Sequence, residues 1–255
     1  MNPENYTEVI LNPDGKVFRR AVSSVEVALN ERSLIASLQE SMSLTLRDAF
    51  LLEKRWVSLL LSTSGPSITA FATIAMPYLH LNAPFRVLED GKVTVPVFEP
   101  AGSDRPVFTV DWDVATATAG KARCWLLVHA AAAGPDSSWG LGECWLCLTS
   151  SSNRTYRMPM ANVYDNCRVC MGEYAKVHTN LFNALRAALT QFEASAWNSD
   201  LRKPVDRIES FFRFKQSDSG FETLPCNGQW SNLCERVSVV ELEKLVLPAP
   251  QGGNE

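Results

Sequence analysis

The 255 residues carry 24 Lys and Arg against 28 Asp and Glu, a formal charge of -4, which leaves no basic footprint of the kind nucleic acid requires. A composition that is 46% hydrophobic and 20% charged belongs to a folded chain, long enough for one large domain or two smaller ones. The apolar runs at residues 56–61 and 68–76 fall short of the roughly 20 residues a membrane helix needs, so no membrane role is expected.

The first residues have neither the cationic start nor the apolar stretch of a secretory signal, so a cytoplasmic location is expected. In that compartment the seven cysteines read as core thiols, metal ligands or a nucleophile rather than a disulfide framework. Asn12-Pro13-Asp14-Gly15 punctuates a hairpin, and residues 25–29 alternate as a half-buried strand does. Leu34, Leu38 and Met42 have helical spacing. A second helix is predicted from Thr45 to Leu61, ended by Ser64-Gly65-Pro66. Short strands follow at residues 92–98 and 107–110, with a loop at 102–106.

A soft boundary near residue 105 divides an N-terminal α/β region of unknown role (1–105) from a second unit (106–247) and a disordered tail (248–255). The second unit opens with an apolar strand at 123–130. A Gly/Pro/Ser loop joins it to an antiparallel partner at 142–148. Residues 150–153 turn the chain, and 155–158 add a short strand. Leu181, Leu185, Ala188, Leu189, Phe192 and Ala196 recur at three and four residues and predict a long amphipathic helix. A further helix from Pro204 through Phe211-Phe212 completes an α+β arrangement, an antiparallel sheet with packing helices.

Chemistry-bearing residues concentrate at 160–172. Two readings compete for the cysteines. Cys144-x-x-Cys147 and Cys167-x-x-Cys170 have the spacing of a four-cysteine zinc site. Against that, residues three apart on a strand point to opposite faces, which separates Cys144 from Cys147, and cysteines are common in cores. No cofactor is therefore expected, with zinc as the alternative.

The second reading makes Cys170 a nucleophile. Ubiquitin-conjugating enzymes carry a His-Pro-Asn-Ile segment with the catalytic cysteine eight residues after the asparagine, and Met160-Ala161-Asn162-Val163 with Val169-Cys170 keeps that spacing. The strand hairpin, the Asn162-Val163 segment and the Arg168-Val169-Cys170-x-Gly172 ending resemble the prokaryotic ubiquitin-conjugating-enzyme-like family D, which includes a protein of the plasmid-borne PRTRC system. The resemblance covers about residues 120–215, including Trp197 and Phe211-Phe212.

It implies a ubiquitin-conjugating-enzyme-like fold and a bacterial pathway in which Cys170 carries a ubiquitin-like protein as a thioester. That pathway would supply a ThiF-like activating enzyme and a JAB-type metalloprotease as partners. The resemblance also makes Asn162 the amide donor to the oxyanion; on its own, Asn162 reads more simply as a turn or cap residue. Met160 and Ala161 replace the classical His and Pro, and Cys167 replaces a glycine, so a left-handed turn at that position is not favoured.

Asp165 is a supporting candidate that could orient or deprotonate an amine, or simply a solvated turn residue. Cys167 could be neutral or a redox partner. His178 could pair with the thiol but reads more simply as a surface residue, and His129 reads as a core histidine. Cys226 and Cys234 could complete a metal site, although their separation is not diagnostic. Besides the transferase, a non-catalytic adaptor of the same fold and a zinc-stabilised structural domain stand as alternatives.

Overall fold

The computed structural model describes residues 6–11, 17–21, 26–29, 56–64, 67–88, 91–133, 137–173, 176–199, 208–218 and 220–237, with side chains from residue 67 onward. Its largest sheet is antiparallel throughout. β1 (Tyr6–Leu11), β2 (Val17–Ala21) and β3 (Glu26–Leu29) form one flank, with Leu11 opposite Val17 across the Asn12-Pro13-Asp14-Gly15 segment. β4 (Trp56–Ser64) and β5 (Ser67–Ala75) join that flank to the centre.

β6 (Tyr78–Ala83) leaves this sheet and pairs with β9 (Phe108–Asp113). A separate four-stranded sheet holds β7 (Phe85–Val87) and β8 (Thr94–Pro96), together with two later strands, β14 (Phe214–Ser217) and β15 (Gly220–Thr223). The short helix α1 (Val114–Thr118) then leads into β10 (Ala122–Ala132) and β11 (Trp139–Ser150), which pair as the predicted hairpin. β12 (Thr155–Arg157), β13 (Val177–His178) and β16 (Glu235–Val237) complete the other flank.

The helix predicted through Leu61 is corrected. Residues Trp56–Ser64 are β4, hydrogen-bonded on both sides by β1 and β5. A short continuous apolar run suits a central strand and a buried helix equally, and here the neighbouring strands decide. The predicted helix around Leu34, Leu38 and Met42 lies outside the described residues, as does Pro204; of the helix expected after it, α3 (Ile208–Phe211) is described.

The long helix α2 (Leu181–Ala194) begins where expected, with Asn180 as its cap: the Asn183 backbone N–H donates to Asn180 Oδ1 at 2.8 Å, satisfying one of the helix's free donors. Its stripe of Leu181, Leu185, Ala188 and Phe192 is buried against the sheet. Burial of each large side chain there contributes about 1.5–3 kcal/mol. Strand alternation sends Cys124, Leu126, Val128 and Ala130 of β10 into this same core. The core takes residues from β5 and β6 as well as from β10, β11 and α2, so it draws on both sides of the loop at 102–106. A smaller cluster of Phe71, Trp145, Cys147, Cys167 and Val237 occupies the opposite sheet face, with Trp125 and Leu127 against it.

Candidate active site

The segment after β12 folds into a tight hairpin laid against β11. Val163 and Val169 form an antiparallel bridge. The Tyr164 N–H donates to the Arg168 carbonyl at 2.8 Å, and the Cys167 N–H to the Tyr164 carbonyl at 2.9 Å. Cys167 has φ 65, in the left-handed region. A turn followed by one left-handed residue is a common three-residue hairpin connection, in which that residue is usually glycine. The expectation that cysteine would disfavour the left-handed turn is therefore corrected. The conformation is kept, stabilised by the Arg168 N–H donating to Asn166 Oδ1 at 3.1 Å and by complete burial of the Cys167 side chain.

This register explains the eight-residue spacing. Carried one pair beyond Val163 and Val169, it sets Asn162 opposite Cys170, and the Cys170 N–H donates to the Asn162 carbonyl at 2.9 Å. On its other side the 167–169 strand pairs with β11. The Leu146 N–H donates to the Cys167 carbonyl, the Val169 N–H donates to the Cys144 carbonyl, and Trp145 bridges to Arg168. Val169 and Met171 point into the main core, so by strand alternation Arg168 and Cys170 face the opposite way.

Cys170 stands apart from the other thiols. Of the seven cysteines it alone is partly exposed, and the other six are buried. Burial pushes the Cys144 and Cys167 thiols up to about 12 and Cys226 to about 11, and it raises Cys124, Cys147 and Cys234 strongly as well. A thiol held protonated is a poor nucleophile and a poor ligand.

Cys144 lies in the main core and Cys147 in the smaller cluster with Cys167. The Cys144-x-x-Cys147 pair thus divides between the two faces of the sheet, as strand geometry predicts. Cys226 and Cys234 sit in the main core, with the Cys226 thiol donating to the Phe211 carbonyl at 3.5 Å.

The Asn162 side chain is 6% exposed and spans two segments. Its Nδ2 donates to the Ala196 carbonyl at 3.1 Å, and its Oδ1 accepts the Asn198 N–H at 3.1 Å. Ala196 in turn bridges to Asn82 of β6, and the Trp197 N–H donates to the Asn82 carbonyl at 2.9 Å. Gln191 of α2 donates from Nε2 to the Met171 carbonyl at 2.9 Å. The cysteine hairpin is therefore held from behind by α2 and the strand-like segment that follows it. Met160 and Ala161, at the classical His and Pro positions, are buried in the main core.

Asp165 sits at the exposed tip of the turn and pairs with the buried Arg157 at 2.8 Å; Arg157 also pairs with Glu235 at 2.7 Å. His178 of β13 pairs with Trp139.

Two residues beside the thiol were not legible as site residues. Arg168 Nη1 donates to Glu143 Oε1 at 2.5 Å, and its guanidinium lies 4.4 Å from the centre of the Tyr164 ring. The two partners are 25 positions apart in sequence, and only the pairing of the hairpin with β11 joins them.

The fold and site define, among the described residues, an antiparallel-sheet protein with few helices, whose partly exposed cysteine is carried on a hairpin near a Glu–Arg ion pair. No family model, curated protein or solved structure matches the sequence. No helix among the described residues is long and apolar enough to cross a membrane.

Proposed function

We propose that Cys170 is an acyl carrier that accepts the C-terminus of a ubiquitin-like protein from a ThiF-like activating enzyme and passes it to an acceptor, in the manner of the prokaryotic ubiquitin-conjugating-enzyme-like family D. A JAB-type metalloprotease belongs to the same proposed bacterial pathway. The observation that carries this reading is the exposure of Cys170 alone among seven thiols. An acyl-carrying sulfur must meet two macromolecular partners, and the six buried thiols cannot.

Transfer needs stabilisation of the oxyanion formed when the acceptor attacks the thioester, where one preorganised donor can be worth about 100-fold in rate. Asn162 lies next to Cys170 in the hairpin register and is the candidate donor. Its role is then double, because its amide also ties the hairpin to Ala196 and Asn198.

Incubation with ATP, an activating enzyme and a ubiquitin-like protein should give a thiol-sensitive adduct. The adduct should be lost in Cys170→Ala and kept in Cys144→Ala; absence of an adduct with every pairing tried refutes the proposal.

One observation favours a second reading, a non-catalytic adaptor of the same architecture. Asn162 and Asp165 are both engaged in structural contacts. Under that reading Cys170→Ala supports full function in cells.

A further inference from the structure

We infer that Glu143 is the proton acceptor for an amine that attacks the acyl group on Cys170, which makes the acceptor of this site a primary amine such as a lysine side chain. The inference rests on the acyl-carrier reading and extends it to the acceptor.

Three observations place Glu143 there. The bridge between Trp145 and Arg168, with the Val169 N–H on the Cys144 carbonyl, brings Glu143, the next residue along β11, to the end of the paired stretch that leads into Cys170. Residues two apart on a strand project to the same side, so Cys170 faces the way Arg168 does. The Glu143–Arg168 ion pair sets Glu143 on that side as well, so Glu143, Arg168 and Cys170 share one face. That face is open to solvent here: Glu143 is 50% and Arg168 38% exposed, and Cys170 is partly exposed.

The ion pair orients the carboxylate without consuming it. Arg168 engages Oε1, and a carboxylate offers about four acceptor positions. On the far side of Glu143 stands His129, its ring stacked on Phe71 at 4.7 Å. Burial lowers the His129 pKa, opposed by the negative charge of Glu143, so near neutral pH the imidazole adds no second cation to the face. An incoming ammonium group would meet a carboxylate beside the thioester, with the Arg168 guanidinium already paired.

The step balances as follows. Glu143 takes one proton from the incoming ammonium, and the freed lone pair forms the C–N bond to the thioester carbon. The excess proton on the nitrogen of the tetrahedral intermediate passes to water. The C–S bond then breaks with its electron pair on Cys170 sulfur, and the proton passes from Glu143 to the departing thiolate or to water. The products are an amide and the free thiol.

The test uses the full-length protein and the diglycyl thioester of 2-mercaptoethanesulfonate, which can load Cys170 by thiol exchange without an activating enzyme. Intact-mass measurement follows loading. Discharge is then timed with Nα-acetyl-lysine amide and, separately, with hydroxylamine, which is already neutral at assay pH. Glu143→Gln should load like the wild type and discharge to lysine about tenfold more slowly or worse, with hydroxylamine discharge unchanged; Glu143→Asp should recover part of the lysine rate. Equal lysine discharge in Glu143→Gln overturns the inference, and so does an equal slowing with both nucleophiles. If the wild type does not load on Cys170, the acyl-carrier reading falls and takes this inference with it.

Discussion

Replacing Asn162 by Ala separates the two jobs assigned to that side chain. The substitution removes two hydrogen bonds, to the Ala196 carbonyl and from the Asn198 N–H, each 3.1 Å long. Each contributes about 0.5–1.5 kcal/mol net. Asn162 is almost completely buried, so water does not readily replace the lost partners, and a total loss of about 2 kcal/mol is expected. For a chain of this size that corresponds to a fall in melting temperature of about 4–8 °C.

Urea titration and calorimetry measure the loss. Asn162→Asp provides the control: it keeps an acceptor for the Asn198 N–H but sets a carboxylate against the Ala196 carbonyl, so it should be no more stable than the Ala variant. A loss below about 0.5 kcal/mol in Asn162→Ala, within the range of ordinary surface substitutions, would refute the view that this residue ties the hairpin to the segment after α2.

Further outcomes follow from the same geometry. A Cβ added at Gly142 would lie 2.3 Å from His129 Nδ1; Gly142→Ala should therefore cost about 1–3 kcal/mol as an overpacked site, and a double-mutant cycle with His129→Ala should recover most of it. Cys167 holds a left-handed φ of 65, where glycine avoids about 1–2 kcal/mol of strain; both substitutions lose the buried sulfur, so Cys167→Gly should equal or exceed Cys167→Ala in chemical denaturation, the reverse of the usual order. The Cys144 and Cys167 thiols titrate near 12 in the folded protein and near about 8.5 when unfolded. Above the lower value the unfolded chain binds fewer protons than the folded one, so their contribution to stability is complete below about pH 8 and declines as pH rises toward 12. A flat stability profile from pH 8 to 10.5 would contradict this burial.

What was legible in the sequence is what local chemistry decides. The turn residues Asn12-Pro13-Asp14-Gly15 marked the β1–β2 connection, and the apolar periodicity after Asn180 marked α2, because both depend on neighbours a few positions away. The separation of Cys144 from Cys147 followed from strand alternation alone. β4 was misread because its apolar run becomes a strand only through pairing with β1 and β5. The spacing of Asn162 and Cys170 was visible as a number, and its cause, the hairpin register around the Tyr164–Cys167 turn, was not.

By itself, then, the sequence determined the local elements and the loop in which a reactive thiol would sit. Tertiary structure decided which thiol is exposed, because exposure depends on everything packed around it, and six of the seven cysteines are buried. It also decided the company Cys170 keeps. Asn162 meets Ala196 and Asn198 across more than thirty positions, and Glu143 meets Arg168 across 25. Such contacts arise from strand pairing and helix packing, whose partners no short-range pattern specifies.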